Sequence, residues 1–554
     1  MALGEAAAPR PEGVRVIEAG SLPPWEVAEL PAPPPYGFGN ALRVTGAGAI
    51  ILGISIGSGE WLIGPAVTAQ FTAALLWVAT ASILLQWVFN EEASRYTLYT
   101  GEPIFSGFMR TKPGSVFWGW VYSILGFIQL GWPGWAAAAA TAVVAAQIGG
   151  VPGPEHAGTV KFWGYITFFA SLGLLLLGRK VEQALEYAEW FMVIWIVAAL
   201  LFLGIVFTSL GTWVTVIAGF LAGGLYLIRD PNSGQLMGLI PQGADWFILA
   251  GFAAYAGAGG LGNCTVSNWV RDKGMGMGGL VGYIPAVVGG HRVELAATGK
   301  VFEPTPENVS TFRQWWRYIR FDQGWVWTVG CFLGMGLPAL LTVQFIPPGT
   351  QIGGMAVAVR QAEGISNAFG GLANVSGSLL WYLTLLTGFW ILYSTQLGIM
   401  DLLPRTVTDI LWTSNPGVRS WSNGDVRKVY YSILVVFVVW GCIAINLAQP
   451  FILILLGAFT AGLMMSIYGI HVSIVNRKFL PPEVQAPLWR DLTLWVFSGF
   501  FGFFTTVTIL DRVLGIKITD PSLGALVGAV FLIVFGLAGY VTRGPMMRSG
   551  AGVR

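Results

Sequence analysis

The stretch Gly57-Ser58-Gly59-Glu60-Trp61 interrupts a long apolar segment near the start of the sequence. Glycine and serine weaken a helix, since glycine loses the most backbone entropy on folding, and Pro65 removes another backbone donor. Glu60 is the only ionisable side chain between Arg43 and Glu91, and an unpaired carboxylate at bilayer depth costs about 2.5 kcal/mol or more. These features predict a broken membrane helix whose carboxylate faces a cavity. The alternative is a kinked helix in which Glu60 forms a salt bridge inside the bundle.

The composition is that of a membrane protein that crosses the bilayer many times. Of 554 residues, 55% are hydrophobic and 10% are charged, and the mean hydropathy is +0.66, whereas soluble domains carry about 25% charged residues. The three cysteines and three histidines are scattered singly. The sequence contains neither a nucleotide-binding P-loop nor a nucleophile paired with a base. We therefore expect no enzyme activity, no cofactor and no nucleic-acid partner.

Apolar stretches long enough to cross a bilayer, about 20 residues each, recur along the chain. With the N-terminus inside, only five of the 30 Lys and Arg residues fall on the outer side, and an excess of Lys and Arg marks the cytoplasmic side. We expect a multi-pass protein of the plasma (inner) membrane with both termini cytoplasmic. The predicted stretches, numbered spans 1 to 12, are 44–70, 73–94, 116–147, 161–178, 187–208, 245–267, 325–345, 372–397, 430–447, 451–475, 491–510 and 522–541.

Span 6 contains a second interruption, which begins at Gly257 and places four glycines within six residues. It falls one five-helix unit after the first. Interrupted helices at corresponding positions of two halves indicate a midplane binding site in transporters built from inverted repeats. The two breaks supply the candidate substrate-binding residues, with Glu60 as the candidate metal ligand: Gly57, Ser58, Gly59, Glu60, Gly260, Asn263 and Thr265.

Three segments resemble conserved parts of the Nramp divalent-metal transporters. Span 2 and its exit loop carry Leu75-Leu-Trp, Leu85-Gln86, Glu92-Ala93-Ser-Arg95-Tyr and Thr100-Gly101, and the inner-loop patterns are Gly178-Arg179 with Glu182 and Thr395-Gln396 with Asp401. With the helix count, the resemblance covers most of residues 43–475. It implies an all-α polytopic membrane protein with the LeuT-like fold: about 12 transmembrane helices, including two inverted five-helix repeats whose helices 1 and 6 are unwound around the substrate.

The motifs that bind metal in the Nramp family are changed in this chain. The family's Asp-Pro-Gly-Asn aligns with 57–60, so its metal-binding Asp falls on Gly57 and its Asn on Glu60. The Met-Pro-His of its sixth helix is replaced by glycine, leucine and asparagine around 260–263. Without that sulfur ligand the site is predicted to use oxygen only, which suits hard ions such as Mg²⁺ better than soft transition metals. The chain therefore resembles a divergent Nramp-related branch.

The predicted organisation follows from the spans and the resemblance. Residues 1–42 have no apolar core, which excludes a signal peptide. The predicted parts are a cytoplasmic Pro-rich tail (1–42), a first five-helix repeat (43–208), an extracellular loop (209–244), a second repeat (245–475) with a long cytoplasmic loop (270–324), helices 11 and 12 (476–542) and a cytoplasmic tail (543–554). Within the long loop, the aromatic and arginine residues of 312–321 predict either an interfacial helix or a solvated loop packed on the bundle.

Four further polar residues are weaker candidates for a gate or ion pathway: Glu91, Tyr393, Thr395 and Gln396. Such side chains also satisfy neighbouring helices, and Glu91 could equally belong to a structural ion-pair set.

We expect a secondary transporter that moves a small, cationic solute, either a metal ion or an organic cation, by alternating access. Its other partner is the lipid bilayer, and the sequence indicates no particular oligomeric state. The alternative is a non-transporting membrane subunit or scaffold that retains the fold.

Overall fold

The computed structural model describes residues 15–44, 52–53, 55–176, 181–281, 298–353, 356 and 359–550, without the side chains of 181–190 and 545–550. Each of the twelve predicted spans contains helical structure within these residues. One of the family-like patterns lies outside the described part of the chain, namely Gly178, Arg179 and the Glu182 side chain. Residues 282–297 of the long loop also lie outside it. Eight described helices are long and apolar enough to cross a membrane.

Two of the first five spans are interrupted: span 1 at its unwound turn and span 3 at Pro133. Span 1 is a π-helical turn, Gly59–Ile63, followed by an α-helix, Gly64–Phe71, and a short helix, Phe38–Val44, precedes it. Pro133 cannot donate a backbone hydrogen bond and divides span 3 into two helices. The other helices are Leu76–Thr100 in span 2, Ser115–Leu130 and Gly134–Ile148 in span 3, Ala157–Leu176 in span 4 and Val181–Phe207 in span 5.

The remaining spans repeat the pattern of one broken helix among longer ones. Span 6 consists of Trp246–Tyr255 and Leu261–Asp272. Span 7 runs from Pro306–Arg320 through a π-helical segment, Phe321–Thr328, into Val329–Phe345. Spans 8 to 12 are Val375–Ser414, Val426–Ala444, Pro450–Phe479, Leu488–Arg512 and Pro521–Gly550. The connecting α-helices are Ile104–Met109, Leu210–Phe220, Arg360–Ala368 and Pro416–Trp421.

Spans 1 and 6 lie at the centre of the bundle. The turn Gly59–Ile63 is buried along its whole length, and the helix Trp246–Tyr255 is buried except at Phe247 and Ile248, which are half-buried. In the helices of spans 4, 9 and 12, no more than 33% of the residues in the apolar window are buried, as expected for helices that face lipid. The broken helices of spans 1 and 6 are therefore enclosed by other spans.

The N-terminal segment packs on one end of the bundle. β1 (Val16–Ile17) pairs antiparallel with β2 (Trp25–Val27), which pairs parallel with β3 (Lys300–Val301). Trp25 is fully buried and contacts the rings of Tyr96 and Phe479. The sequence predicts only an extended tail here, because composition does not show that one tryptophan has a matching pocket between spans 2 and 10.

The segment 312–321 is neither a separate interfacial helix nor a loop. It is helical and continues directly into span 7, so this helix starts near Pro306 rather than near residue 325. Its buried face meets the Pro-rich segment: the Trp315 indole donates to the Pro31 carbonyl at 2.7 Å, and the Tyr318 hydroxyl donates to the Pro34 carbonyl at 3.0 Å. A hydropathy search does not detect this helix because its arginines lower the mean hydropathy, although its aromatic face is buried.

Candidate functional site

The breaks of spans 1 and 6 lie against each other. A Cβ atom at Gly59 would lie 1.9 Å from the Tyr255 carbonyl oxygen, at the end of the first helix of span 6. Only glycine allows this approach, because real Cβ contacts are never so short. The two glycine-rich stretches therefore lie where the interrupted helices contact each other directly.

Glu60 is buried at this contact, with 1% of its surface exposed. Its carboxylate accepts a hydrogen bond from the Gly57 N–H at 3.0 Å and also interacts with the backbone of Gly257 in the other break. Its Oε1 atom has no hydrogen-bond partner. No Lys or Arg in the described part of the chain forms an ion pair with it. Within the described residues, the internal salt bridge that the sequence left open is therefore not formed, and one oxygen of the buried carboxylate stays unpaired at some cost.

The Gln129 side chain of span 3 forms hydrogen bonds with the unwound backbone in the break of span 6. Its Nε2 donates to the Gly259 carbonyl at 3.0 Å, and its Oε1 accepts from the Leu261 N–H at 2.7 Å. The Tyr468 hydroxyl of span 10 donates to the Gly260 carbonyl. Gly260 has a φ of +61°, and residues other than glycine rarely adopt a positive φ. The backbone groups that unwinding frees are thus satisfied by neighbouring spans, as membrane burial requires.

Gln86 of span 2 completes this frame. Its Oε1 accepts from the Gly259 N–H at 3.1 Å and from the Asn263 amide at 3.0 Å, while its Nε2 donates to the Ala256 carbonyl at 2.9 Å. The Asn263 amide also donates to the Asn90 Oδ1 at 2.9 Å. The Asn263 Oδ1 atom is buried without a partner, which leaves a second unpaired oxygen on the broken helices.

The other predicted binding residues have different surroundings. The Ser58 hydroxyl accepts from the Trp135 indole of span 3 at 3.0 Å. The Thr265 hydroxyl donates to the Gly262 carbonyl of its own helix at 2.8 Å. The structure therefore brings 57–60 to the break of span 6, whereas the Thr265 hydroxyl is engaged locally.

Glu91 belongs to a buried ion-pair network between spans 2 and 11. It pairs with Arg490, and its Oε1 accepts from the Trp87 indole at 2.7 Å. Arg490 also pairs with Glu92 at 2.5 Å, and Arg95 pairs with Glu92 at 2.7 Å. This geometry matches the structural ion-pair set left open by the sequence.

The three candidates in span 8 do not form one cluster of free polar groups. Tyr393 stacks on Phe389 with ring centroids 5.5 Å apart and lines an apolar pocket of about 380 Å³. The Thr395 hydroxyl donates to the Ile391 carbonyl at 3.0 Å. The Gln396 side chain contacts another span, since its Oε1 accepts a hydrogen bond from the Ala136 N–H of span 3 at 3.2 Å.

Sequence reasoning missed the residues that frame the break, namely Gln86, Gln129 and Tyr468. One signal was present: Gln129 is the only amide side chain in the first helix of span 3. A lone amide in an apolar helix needs partners within the membrane, and a second unwound helix is a place to find them.

Comparison with known proteins identifies the fold. No protein-family model and no curated protein sequence matches this chain. It is similar to a crystal structure of the Eremococcus coleocola manganese transporter in complex with an aromatic bis-isothiourea substituted compound, with 15% identity, coverage of 94% of this chain and 98% of that chain, and a TM-score of 0.55. A mutant of the same transporter gives 16% identity, the same coverage and a TM-score of 0.57. The chain therefore has the all-α, LeuT-like membrane fold that the resemblance to Nramp transporters predicts.

Proposed function

We propose that the protein is an Nramp-related secondary transporter that moves a small cation by alternating access at the unwound segments of spans 1 and 6. The observation that carries this proposal is Glu60: a buried carboxylate at the contact between the two breaks, with one unpaired oxygen and no basic partner in the described residues. The likeness of the whole chain to a manganese transporter supports the same function at the level of fold.

The groups available to a cation are mainly oxygens. Glu60 supplies charge and one unpaired oxygen, and the Asn263 Oδ1 atom is a second unpaired oxygen on the broken helices. Oxygen ligands suit Mg²⁺ and Mn²⁺, so we place a hard divalent ion first among candidate substrates. One thiol lies in the neighbouring part of span 7: Cys331 is buried one helical turn before Gly334, where a Cβ atom would lie 3.6 Å from the Glu60 Cγ atom. A Cys331→Ser variant therefore belongs in the test of selectivity.

The two breaks at the centre of the bundle support a mechanism of alternating access. The two breaks have fewer internal backbone hydrogen bonds than continuous helices. In this architecture, one group of helices typically rocks against another around such a site. Gln86 of span 2 and Gln129 of span 3 hydrogen-bond to the break of span 6 from neighbouring helices.

The test is cation uptake by proteoliposomes that contain the purified protein, with empty liposomes as the control. We expect saturable uptake of Mg²⁺, with Mn²⁺ competing and a soft ion such as Cd²⁺ or an organic cation such as guanidinium competing poorly. The Cys331→Ser variant should keep this order.

Two results would contradict the proposal. Absence of uptake for every cation would favour a non-transporting subunit or scaffold. A preference for Cd²⁺ that Cys331→Ser removes would show that the thiol is a ligand and that the oxygen-only site is wrong.

A further inference from the structure

A basic pocket lies where span 7 emerges from the bundle. It has a volume of about 520 Å³ and is formed between the N-terminal Pro-rich segment and the helix Pro306–Arg320. Its lining residues are Tyr36, Ser310, Arg313, Gln314 and Arg317. No part of the transport mechanism uses these residues.

The two arginines of this pocket are exposed and available. They are four residues apart on one helix and therefore point the same way, one turn above the other. Neither guanidinium group forms an ion pair or a hydrogen bond with a residue that the structure describes. Other arginines of the same chain are paired, among them Arg95, Arg110, Arg271, Arg477 and Arg490. Two adjacent unpaired guanidinium groups form a site for an anion such as a phosphate group, which accepts their hydrogen bonds.

An exposed aromatic surface continues from the pocket toward the apolar part of span 7. Phe38 and Trp325 are each 73% exposed, and Phe38 contacts Phe321 with ring centroids 6.1 Å apart. The same helix carries the charged and the aromatic parts, since Pro306–Arg320 runs without a break into the π-helical segment Phe321–Thr328. A ligand that fits both parts has an anionic head and an apolar tail.

We propose that this pocket binds the phosphate headgroup of an anionic phospholipid. Arg313 and Arg317 hold the phosphate, and the hydroxyl and amide groups of Tyr36, Ser310 and Gln314 bind the rest of the headgroup. The acyl chains lie along Phe38 and Trp325. The charge pattern of the chain places this end of span 7 on the cytoplasmic side, where anionic lipids meet basic pockets between membrane helices. The site would join the N-terminal segment to the lipid surface.

The experiment is native mass spectrometry of the full-length protein in detergent, titrated with phosphatidylglycerol or phosphatidylcholine. The double variant Arg313→Gln/Arg317→Gln is compared with Lys273→Gln/Lys428→Gln, which removes the same charge from two exposed residues elsewhere. We expect phosphatidylglycerol to bind more tightly than phosphatidylcholine to the wild type. The arginine variant should bind phosphatidylglycerol about thirtyfold more weakly, since each basic residue near a lipid surface contributes about a factor of five in affinity. The lysine variant should bind phosphatidylglycerol like the wild type.

Thermal melting checks that both double variants fold, and Arg313→Gln alone serves if the pair does not. Trp325→Ser separates a lipid from a free phosphate, because it removes only the tail contact and should weaken phosphatidylglycerol binding severalfold. Three results would overturn the proposal: equal affinity for the two lipids, an arginine variant that binds phosphatidylglycerol like the wild type, or full displacement by millimolar inorganic phosphate with Trp325→Ser unaffected. The last would identify a site for a free anion.

Discussion

At the scale of single residues, the candidate site depends on a glycine that cannot be replaced and a carboxylate that is not fully paired. Gly59 allows the turn of span 1 to reach the Tyr255 carbonyl, and this contact places Glu60 beside Gly257. Any side chain at position 59 would push the two breaks apart and separate the carboxylate from the backbone of the second break.

Gly59→Ala is expected to destabilise the protein by about 2 kcal/mol or more, because the new methyl group would overlap a backbone carbonyl that cannot rotate away. Gly53→Ala is the matched control in the same span, since its Cβ would meet only the Val193 side chain at an ordinary 3.4 Å. Thermal melting in detergent compares the two. Equal melting temperatures for both variants would show that the breaks are not in tight contact.

The sequence points to Glu60 because one ionisable residue in a long apolar stretch is conspicuous, and to Gly260 because clustered glycines break helices. It does not show what either residue contacts. Thr265 appears equally polar in the sequence, yet its hydroxyl bonds to its own helix, a choice that depends on local rotamers. The role of the candidate residues in binding stays a prediction.

At the scale of elements, the unwound segment of span 6 is stable because side chains from other spans replace its missing backbone bonds. Gln129 alone satisfies one N–H and one C=O group. Its partners are more than a hundred residues away in the sequence, so no local pattern reveals them.

Gln129→Leu should therefore cost about 2–4 kcal/mol, because the Gly259 carbonyl and the Leu261 N–H would be left buried without partners. Gln147→Leu, in the second helix of span 3, is the control: that side chain is exposed and, among the described residues, bonds only to the Trp163 indole. Melting of the two variants in the same detergent gives the comparison. A loss no greater than that of Gln147→Leu would refute the bridging role.

The N-terminal segment is an element that sequence analysis underestimates. Arg110 donates to the Ala19 carbonyl at 2.6 Å and pairs with Glu102 at 2.5 Å, and Glu102 also accepts from the Gly299 N–H at 2.8 Å. Hydropathy finds the apolar spans because each of them is long enough to be recognised alone. It does not find a short segment that is held by one buried tryptophan and one buried ion pair.

This ion pair makes a pH-dependent prediction. Burial alone would raise the pKa of the Glu102 carboxyl, but the charge and hydrogen bonds of Arg110 outweigh it and hold that pKa below its ordinary value. Because the pKa is lower in the folded state, the stabilisation is complete above the unfolded pKa and is lost as pH falls through the folded pKa. Glu102→Gln should thus be less stable than wild type at pH 7, by about 3–5 kcal/mol, and the difference should narrow below about pH 4.

The control is Glu26→Gln, which removes a partly exposed ion pair with Lys300 and should change stability by less than about 1 kcal/mol. Melting temperatures from pH 7 down to about pH 2 test both variants, because the stabilisation is lost only below the unfolded pKa of a glutamate, about 4.3. A difference between Glu102→Gln and wild type that stays constant with pH would show that the carboxyl does not titrate with folding.

At the scale of the whole molecule, the chain surrounds a central pair of broken helices with longer helices that are joined by buried ion pairs. Buried ion pairs fix span 2 to span 11 at one end, and the N-terminal segment fastens to the same end. The broken helices lie inside this frame with Glu60 at their contact. Twelve apolar stretches, two glycine-rich interruptions and family-like motifs were enough to predict this fold. The substrate depends on distances between side chains from several spans, which those patterns do not determine.

The central claim is that Glu60 serves transport rather than stability, and Glu60→Gln tests it most directly. The amide keeps the shape of the side chain and removes its charge, so we expect a melting temperature within about 3 °C of the wild type and a loss of cation uptake of at least about tenfold. Glu307→Gln, an exposed carboxylate at the start of the span 7 helix, should change neither quantity. Loss of melting stability together with uptake, or full uptake by a stable Glu60→Gln protein, would contradict the account.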